Sequence, residues 1–370
     1  MGDFDAAGRI KALRVILGDV AVDGAWVVRP ENRFYLSGFR AEDSGLDESS
    51  GSLLIGADEL ILLTDSRFTE QAAREAAGFR VELIKGDFPG RFSEIAAASE
   101  LLRTGFEKDY LIWGMHARVS GALGRMNPPG ELVPLDGEVE RLRRVKSSEE
   151  LEILAAAAKM ISDILVFLID WIAPGMTERS VARRLVELAH EAGADGMSFP
   201  PIIASGPNSS LPHAVPTDRK LEKGEPVVID AGVKLNGYCS DITRTVFLGE
   251  PSADFRSVYR IVLKAQREAL RCLRAGVTAR DVDRAARSVI EDAGFGDRFG
   301  HGLGHGVGLA VHEAPRLNPR DSTVLEEGMV VTVEPGVYLP GKGGVRLEET
   351  VVVEAGGPRI LTFCDRFHDC

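Results

Sequence analysis

The sequence is poor in cysteine, in long apolar runs and in excess positive charge, and each shortage excludes a class of protein. Its four cysteines are scattered along 370 residues with no CxxC pair, which is typical of a cytoplasmic protein with free thiols. No apolar run approaches the roughly 20 residues of a membrane-spanning helix. The first residues lack the apolar core of a signal peptide. The net charge of −12 argues against nonspecific nucleic-acid binding and against an anionic membrane surface.

Strand and helix patterns alternate through residues 1–135, which predicts a small α/β domain. Apolar spacing there predicts a helix over Ser93–Arg103 and a strand over Tyr110–Trp113. No catalytic constellation stands out in this part of the chain.

A linker is predicted over residues 136–148, before a second domain over residues 149–370. Within the linker, Arg141–Lys146 is a basic run, which either binds an anion or forms a solvated surface. The solvated surface is the favoured interpretation. Ser147 and Glu150 then show the spacing of a capping box, which predicts the start of a helix.

One pattern occurs twice in the second domain. Pro174-Gly175-Met176-Thr177 followed by Val181 matches Ala275-Gly276-Val277-Thr278 followed by Val282. Each copy is followed by a predicted β-hairpin. The pattern therefore predicts an internal duplication, with two helix–helix–hairpin halves related by a pseudo-two-fold axis.

The first predicted hairpin lies within VVIDAGVKLNGYCSDITRTVFL, and Asn236-Gly237 is its turn signal. A loop over Lys234–Gly237 would place Asp230 opposite Asp241 on one face of the strand pair. Like charges that face each other across neighbouring strands are destabilising. The two carboxylates therefore need a cation or a proton between them.

The second predicted hairpin also has a facing pair of carboxylates. Folding the chain about Gly341 places Glu334 opposite Glu348, and Glu334 occupies the place of Asp230 in the first hairpin. Two acidic pairs at matched positions of two related halves would converge on the axis between them. This convergence favours a metal site over a shared proton.

Histidines supply the remaining donors. The sequence has seven, and three lie in FGHGLGHGVGLAVHE, namely His301, His305 and His312, while His213 lies in the equivalent region of the first half. Alternate glycines argue against a helix, and an extended segment places His301 and His305 on one face. His312 needs a bend to reach the same site. A phosphate-binding loop is the competing interpretation, but no GxGxxG or GxxxxGK[ST] match exists here.

Four carboxylates and one imidazole suit divalent ions such as Mn(II), Co(II), Zn(II) or Fe(II). Five protein ligands exceed the needs of one tetrahedral zinc. Because carboxylates can bridge, two neighbouring divalent ions are the expected occupancy, with Mn(II) favoured. The alternatives are a single structural ion and a hydrogen-bonded carboxylate cluster.

These stretches resemble the pita-bread metallopeptidases, family M24, over nearly the whole chain. The motifs are IIASGPNSSLPHA (202–214), VVIDAGV and YCSDITRT (within 227–245), GHGLGHGVGLAVHE (300–313), VVTVEPGVY (330–338) and GVRLEET (344–350). The resemblance implies an α/β (α+β) chain with a creatinase/prolidase-like N-terminal domain and a C-terminal pita-bread domain.

The resemblance also implies which residues bind metal and act on substrate. The implied metal ligands are Asp230, Asp241, His305, Glu334 and Glu348. Glu334 would also act on the catalytic water. The histidines that would contact substrate and stabilise developing charge are His213, His301 and His312.

Two further residues belong to the resemblance. Arg346 matches an arginine that lies next to the ligand cluster in the family. Many members have aspartate at the position of Glu349, which we expect on the opposite face of its strand and with little consequence.

The N-terminal part narrows the expected activity. NRFYLSGF (32–39) and LLTDSRFTEQA (62–72) resemble the N-terminal domain of aminopeptidase P, prolidase and creatinase. Creatinase and non-catalytic binding relatives lack the ligand set that this chain retains. The resemblance therefore implies a cytoplasmic, homodimeric enzyme that cleaves Xaa-Pro bonds in proline-containing peptides. An Xaa-Pro aminopeptidase is favoured, and a prolidase restricted to dipeptides is the alternative.

Overall fold

A computed structural model describes residues 5–43, 45 and 48–364 of the chain. The chain divides into two compact units, residues 1–143 and residues 144–370. In the described part, no helix has the length and apolar character that crossing a membrane requires. Cys239, Cys272 and Cys364 form no disulfide among the described residues, and Cys370 lies outside them.

The first unit is built on a six-stranded mixed sheet with helices packed against it. Its strands are β1 Gly24–Val27, β2 Ser52–Ile55, β3 Leu60–Thr64, β4 Arg80–Leu83, β5 Arg103–Glu107 and β6 Glu131–Leu135. Its helices are α1 Ala6–Asp19, α2 Pro30–Ser37, α3 Thr69–Glu75, α4 Phe88–Ala98, α5 Trp113–Leu123 and α6 Glu138–Arg144. The strand order is β4-β3-β2-β1-β5-β6, and β1 pairs antiparallel with β2 but parallel with β5.

Two predictions for this unit are wrong. The helix predicted over Ser93–Arg103 lies earlier, as α4, and Arg103 begins the strand β5. The strand predicted over Tyr110–Trp113 leads instead into α5. Gly105 makes β5 hard to recognise from the sequence, because a glycine weakens the residue pattern that is typical of a strand. The packing of β5 against β6 requires a glycine at this position, since a Cβ there would lie 2.7 Å from the Leu135 side chain on β6.

The second unit contains four long helices and several short sheets. Its helices are α7 Ser148–Trp171, α8 Glu178–Glu191, α9 Ala253–Cys272 and α10 Ala279–Asp292. Its strands are β7 Gly196–Met197, β8 Ile202–Ser205, β9 Pro226–Ala231, β10 Val233–Leu235, β11 Tyr238–Cys239, β12 Ile242–Phe247, β13 Gly304–Gly306, β14 Glu313–Leu317, β15 Val330–Val333, β16 Gly336–Leu339, β17 Gly343–Arg346, β18 Glu349–Val352 and β19 Arg359–Ile360. The capping box predicted at the start of α7 is present in full.

The two halves of this unit repeat the same backbone contacts. The N–H of Gly175 donates to Leu221, and the N–H of Gly276 donates to Leu325 in the same way. Each half also has its own apolar core, one between α7, α8 and β9 and the other between α9, α10 and β15. The antiparallel sheets β8-β9-β12 and β13-β15-β18 lie over these cores. The second unit is therefore an internal duplication.

The first hairpin has a different register from the predicted one. Its turn is the two-residue Asn236-Gly237, with φ values of 49° and 83°, as a type I′ turn requires. The predicted four-residue loop was too long, so Asp230 pairs with Thr243 and not with Asp241. Side chains alternate with a period of two, so this two-residue shift keeps Asp230 and Asp241 on the same face, as diagonal neighbours.

The second hairpin has the predicted register. The chain turns at Gly341, which has φ 74°, and Gly336 pairs with Arg346. β15 and β18 pair in the same register beyond this ladder. The two ladders bracket Glu334 and Glu348, so the predicted opposition of these two residues is confirmed.

The basic run is only in part the solvated surface that we favoured, since Arg141 is exposed but two of its other basic residues are buried. Arg143 is 3% and Lys146 is 5% exposed. The Arg143 guanidinium donates to the side chain of Asn32, 2.7 Å away, and Lys146 pairs with Glu313. Both partners are far away in sequence, which is why local composition did not reveal the burial.

Candidate active site

Residues of the predicted ligand set lie at or next to the ends of short strands, on the floor of a cavity in the second unit. Asp241 directly precedes β12, His305 lies on β13 and Glu348 directly precedes β18. One donor atom from each of these three buried residues lies within 4.8 Å of the other two. The structure thus brings together one residue from the first half of the unit and two from the second.

Glu334 joins this group through the histidine. The Nε2 atom of His305 lies 3.3 Å from Glu334 Oε1 and 3.7 Å from Asp241 Oδ2. The hydroxyl of Thr332 donates to the same Glu334 oxygen over 3.2 Å. His305 is therefore positioned between a carboxylate of each half.

Asp230 lies on the same cavity wall but is held differently. Its Oδ2 atom accepts a hydrogen bond of 2.5 Å from Nη2 of Arg346. Its Oδ1 atom is buried and accepts no hydrogen bond from the described residues. A buried acceptor without a partner is energetically costly. A cation in the cavity would satisfy it.

The electrostatics of the cluster also favour binding of a cation. Burial, together with the neighbouring carboxylates, raises the pKa of Asp241 and of Glu348 well above the usual range. Burial opposes ionisation of Glu334 too, but the hydrogen bond from His305 lowers the pKa of Glu334 to about 2. Carboxylate oxygens and an imidazole nitrogen are donors that borderline divalent ions accept. The residues present therefore fit a divalent metal site.

Arg346 connects the acidic cluster to a second polar network. Its guanidinium donates to Asp230, to the hydroxyl of Tyr338 over 2.9 Å and to that of Thr243 over 3.2 Å. The Tyr338 hydroxyl in turn lies 3.0 Å from Nε2 of His301. Arg346 is 3% exposed, so it is a buried link between metal-site candidates and a histidine.

Tyr338 was not anticipated from the sequence. It lies an even number of positions after Glu334 on the same hairpin, and this spacing is the signal that could have identified it. Gly336 between them leaves the necessary space, because a Cβ there would lie 2.6 Å from the Tyr338 hydroxyl.

The other predicted histidines line one cavity of about 510 Å³, together with the acidic cluster. The rings of His305 and His312 lie 4.4 Å apart, edge to face, so the chain makes the bend that His312 needs. Partial burial and the nearby His305 lower the pKa of His312 to about 4. Burial also lowers the pKa of His301. His213 is exposed at the cavity rim.

Glu349 has more consequence than we expected. Its carboxylate pairs with the fully buried Arg244 over 2.6 Å. Arg244 also donates to the main-chain oxygen of Glu348 over 2.6 Å. Burial raises the pKa of Glu349. The Glu349 side chain therefore acts on the site through Arg244, which fixes the backbone of the candidate ligand Glu348.

Many of the other residues that line the cavity are apolar. These residues are Phe199, Pro200, Pro201, Ile202, Pro212, Ala214, Val215 and Pro216. Arg316 also lines the cavity, and its side chain is exposed. Among the described residues, the guanidinium of Arg316 has no carboxylate within ion-pair distance. Within the described part of the chain, the cavity thus offers an apolar surface and a guanidinium without an ion-pair partner, which can bind an anion.

Comparison with known families agrees with this geometry. Residues 152–355 match metallopeptidase family M24, and residues 9–145 match the creatinase/prolidase N-terminal domain. The chain belongs to metallopeptidase family M24. It is therefore a peptidase of a divalent-metal-dependent class, and its substrates are peptides.

Several individual relatives match over almost their whole length. An Xaa-Pro dipeptidase of Pyrococcus furiosus is 37% identical over 97% of this chain and 98% of its own. The structure of an Xaa-Pro dipeptidase from Bacillus anthracis superposes with a TM-score of 0.92, at 36% identity, over 98% of this chain and 99% of that one. An X-Pro aminopeptidase from Thermotoga maritima gives a TM-score of 0.84, at 36% identity, over 96% and 98%. The predicted family and two-part α/β fold are confirmed.

Proposed function

We propose that the chain is a dinuclear metallopeptidase that hydrolyses the Xaa-Pro bond at the N-terminus of peptides. The observation that carries the proposal is the meeting of Asp241, His305 and Glu348 on the floor of a histidine-lined cavity. The names of the Bacillus anthracis and Thermotoga maritima relatives support the choice of bond.

Five residues would hold the two ions, namely Asp230, Asp241, His305, Glu334 and Glu348. The buried Oδ1 atom of Asp230, which accepts no hydrogen bond from the described residues, is the clearest donor for an ion. Bound divalent ions would make a water nucleophilic near neutral pH and would polarise the scissile carbonyl. We expect Mn(II), with Co(II), Zn(II) and Fe(II) as alternatives.

The chain's own side chains supply the proton transfers and the orientation. Glu334 would accept the proton of the attacking water and deliver it to the leaving proline nitrogen. His312 would donate an N–H to the oxygen that develops negative charge. His301, which the Tyr338 hydroxyl holds, and His213 would orient the proline side of the substrate.

A dipeptidase is the second candidate, and Arg316 is the observation that favours it. A dipeptide ends in a carboxylate directly after proline, and a guanidinium binds a carboxylate through two parallel hydrogen bonds. Arg316 lines the cavity with no ion-pair partner among the described residues. A longer peptide has an uncharged amide at that point and gains nothing from the arginine.

Hydrolysis of Ala-Pro and Ala-Pro-Ala by apo protein refilled with Mn(II), Co(II) or Zn(II) tests the proposal. Cleavage of the tripeptide supports an aminopeptidase, and cleavage of the dipeptide alone supports a dipeptidase. Metal binding without cleavage of either peptide would contradict both.

We further propose a cytoplasmic homodimer. The lack of a disulfide among the described cysteines suits a reducing compartment. Sedimentation velocity of the full chain at micromolar concentration measures the oligomeric state directly, and a single monomeric species would contradict the dimer.

A further inference from the structure

A buried carboxylate at the start of α8 holds the loop that carries His213. Glu178 is fully buried, and both of its oxygens accept hydrogen bonds from this loop. The donors are Ser205 N at 2.7 Å, Ser205 Oγ at 2.8 Å, Asn208 Nδ2 at 2.8 Å, Thr217 N at 2.9 Å and Thr217 Oγ1 at 2.7 Å. Hydrogen bonds to an ionised carboxylate are stronger than those between neutral groups. One side chain thus fixes both ends of the His213 loop.

An ion pair on α10 holds the segment that carries His301. Asp283 and Arg287 pair through two contacts of 2.8 Å. Arg287 donates to the main-chain oxygens of Phe299 at 3.0 Å and His301 at 2.8 Å. Asp283 accepts from the N–H of Leu303 over 3.0 Å. The pair therefore forms hydrogen bonds with the backbone on both sides of His301.

Glu178 and the Asp283–Arg287 pair lie on the two related helices α8 and α10, but at positions that do not correspond. Glu178 directly follows the cap residue Thr177, and the residue in that place on α10 is Ala279. The place of Asp283 on α8 is taken by Ala182. The two halves hold their histidine segments by different chemistry, which is why the repeated sequence pattern does not reveal it.

We infer that Glu178 and the Asp283–Arg287 pair are positioning residues for His213 and His301. The inference rests on the proposed function, in which both histidines orient the substrate. Gly300 and Gly302 flank His301, and glycine leaves a backbone free to move unless it is tied down. A misplacement of roughly 1 Å can lower a rate by about a hundredfold. The anchors remove that freedom without touching the substrate.

Hydrogen–deuterium exchange of the intact chain tests the local part of the inference. In Glu178→Gln, one acceptor becomes a donor, so we expect the amides of Ser205 and Thr217 to exchange roughly tenfold faster. In Arg287→Met, we expect the same increase over residues 300–303. Each variant should leave the other loop unchanged. Glu187→Gln on α8 and Arg284→Met on α10 change exposed residues of the same types and serve as matched controls.

Steady-state kinetics on Ala-Pro test the functional part. We expect each anchor variant to raise KM by about tenfold with a smaller change in kcat, since the loosened histidines bind substrate. Arg287→Lys keeps the charge beside Asp283 but cannot span two carbonyls as a guanidinium does. It should therefore recover part of the KM and part of the exchange protection.

Three results would overturn the inference. They are unchanged exchange in both loops, faster exchange spread evenly over α7 and α9, and unchanged KM despite faster local exchange. If Arg287→Met does not fold, Arg287→Lys and Glu178→Gln carry the same comparison. A wild-type chain that cleaves no Xaa-Pro peptide would contradict the proposed function alone, because exchange is measured without substrate.

Discussion

Lys146 and Glu313 are 167 positions apart in the sequence, and their side chains form an ion pair of 2.7 Å. The two side chains are 1% and 6% exposed. Glu313 directly follows His312, and Lys146 directly precedes the cap residue of α7. The pair therefore attaches the histidine segment to the start of the second unit.

Replacing Lys146 with methionine should strongly destabilise the second unit. The substitution removes the Lys146 cation from beside the buried Glu313 carboxylate, and loss of one partner of a buried ion pair typically costs about 3–5 kcal/mol. The double variant Lys146→Met/Glu313→Leu should recover most of this loss, because neither charge remains. Urea unfolding measures both. Lys159→Met is the matched control, since Lys159 pairs with Asp163 at the surface, where the side chains are 71% and 66% exposed, and it should change stability by less than about 1 kcal/mol.

Replacing Asp241 with alanine should abolish metal-dependent turnover. The substitution removes one of the three donors that meet on the cavity floor. Added Mn(II) should raise the Tm of the wild-type chain, because a ligand that binds only the folded state stabilises it, and should raise that of the variant far less. Metal analysis, melting curves and Xaa-Pro hydrolysis provide the measurements, with the exposed Asp218→Asn as control. Turnover above a few per cent of wild type would contradict the ligand assignment.

Replacing Arg316 with methionine should change the preference for peptide length. Loss of the guanidinium should weaken kcat/KM for Ala-Pro by about tenfold or more, since a charge-assisted bond contributes roughly 1.5–3 kcal/mol. Ala-Pro-Ala, which has no carboxylate beside proline, should change little. Arg320→Met on the nearby surface is the control. An equal loss on both peptides would mean that Arg316 does not bind the dipeptide carboxylate.

The stability of the first unit should fall as pH rises from about 5 to about 7. Glu107 accepts hydrogen bonds from the main chain of Val28 and Arg29, but burial outweighs them and raises its pKa to about 7. The folded unit therefore holds this proton more tightly than the unfolded chain does. The stabilisation that this bound proton provides is complete below the pKa that Glu107 has in the unfolded chain. It is lost as pH rises through the pKa that Glu107 has in the folded unit, and the loss is roughly 3 kcal/mol.

Tryptophan fluorescence during urea unfolding can measure this loss. Two of the three tryptophans, Trp26 and Trp113, lie in the first unit, so a Trp171→Phe background reports on that unit. Glu107→Gln has no charge to bury and should flatten the dependence between pH 5 and pH 7. A stability that rises over this interval in the parent chain would contradict the raised pKa.

The sequence was most informative where one hairpin carries its own signal. The pairing of Glu334 with Glu348 follows from a single turn, and the structure has it. For Asp230 and Asp241 the face was right and the register wrong, because a two-residue turn replaced a four-residue one. A two-residue error is harmless to the face, since side chains alternate along a strand.

Partners that meet only in the folded chain could not be predicted in this way. Arg316 and the Lys146–Glu313 pair have no local pattern that identifies their role. Likewise, β5 was missed because Gly105 serves the packing against β6 rather than strand propensity. Local patterns specify faces and turns, whereas the supports of the site depend on contacts over long sequence separations.

The long separations within the site also determine when it can form during synthesis. Arg346 and Asp230 are 116 positions apart, and Arg244 and Glu349 are 105 apart. Contacts of this kind form slowly because a long loop must close first. The ribosome synthesises Asp230 and Asp241 before the second hairpin. The first half therefore cannot complete the site until the second half has been made. The cavity is therefore among the last parts of the nascent chain to assemble.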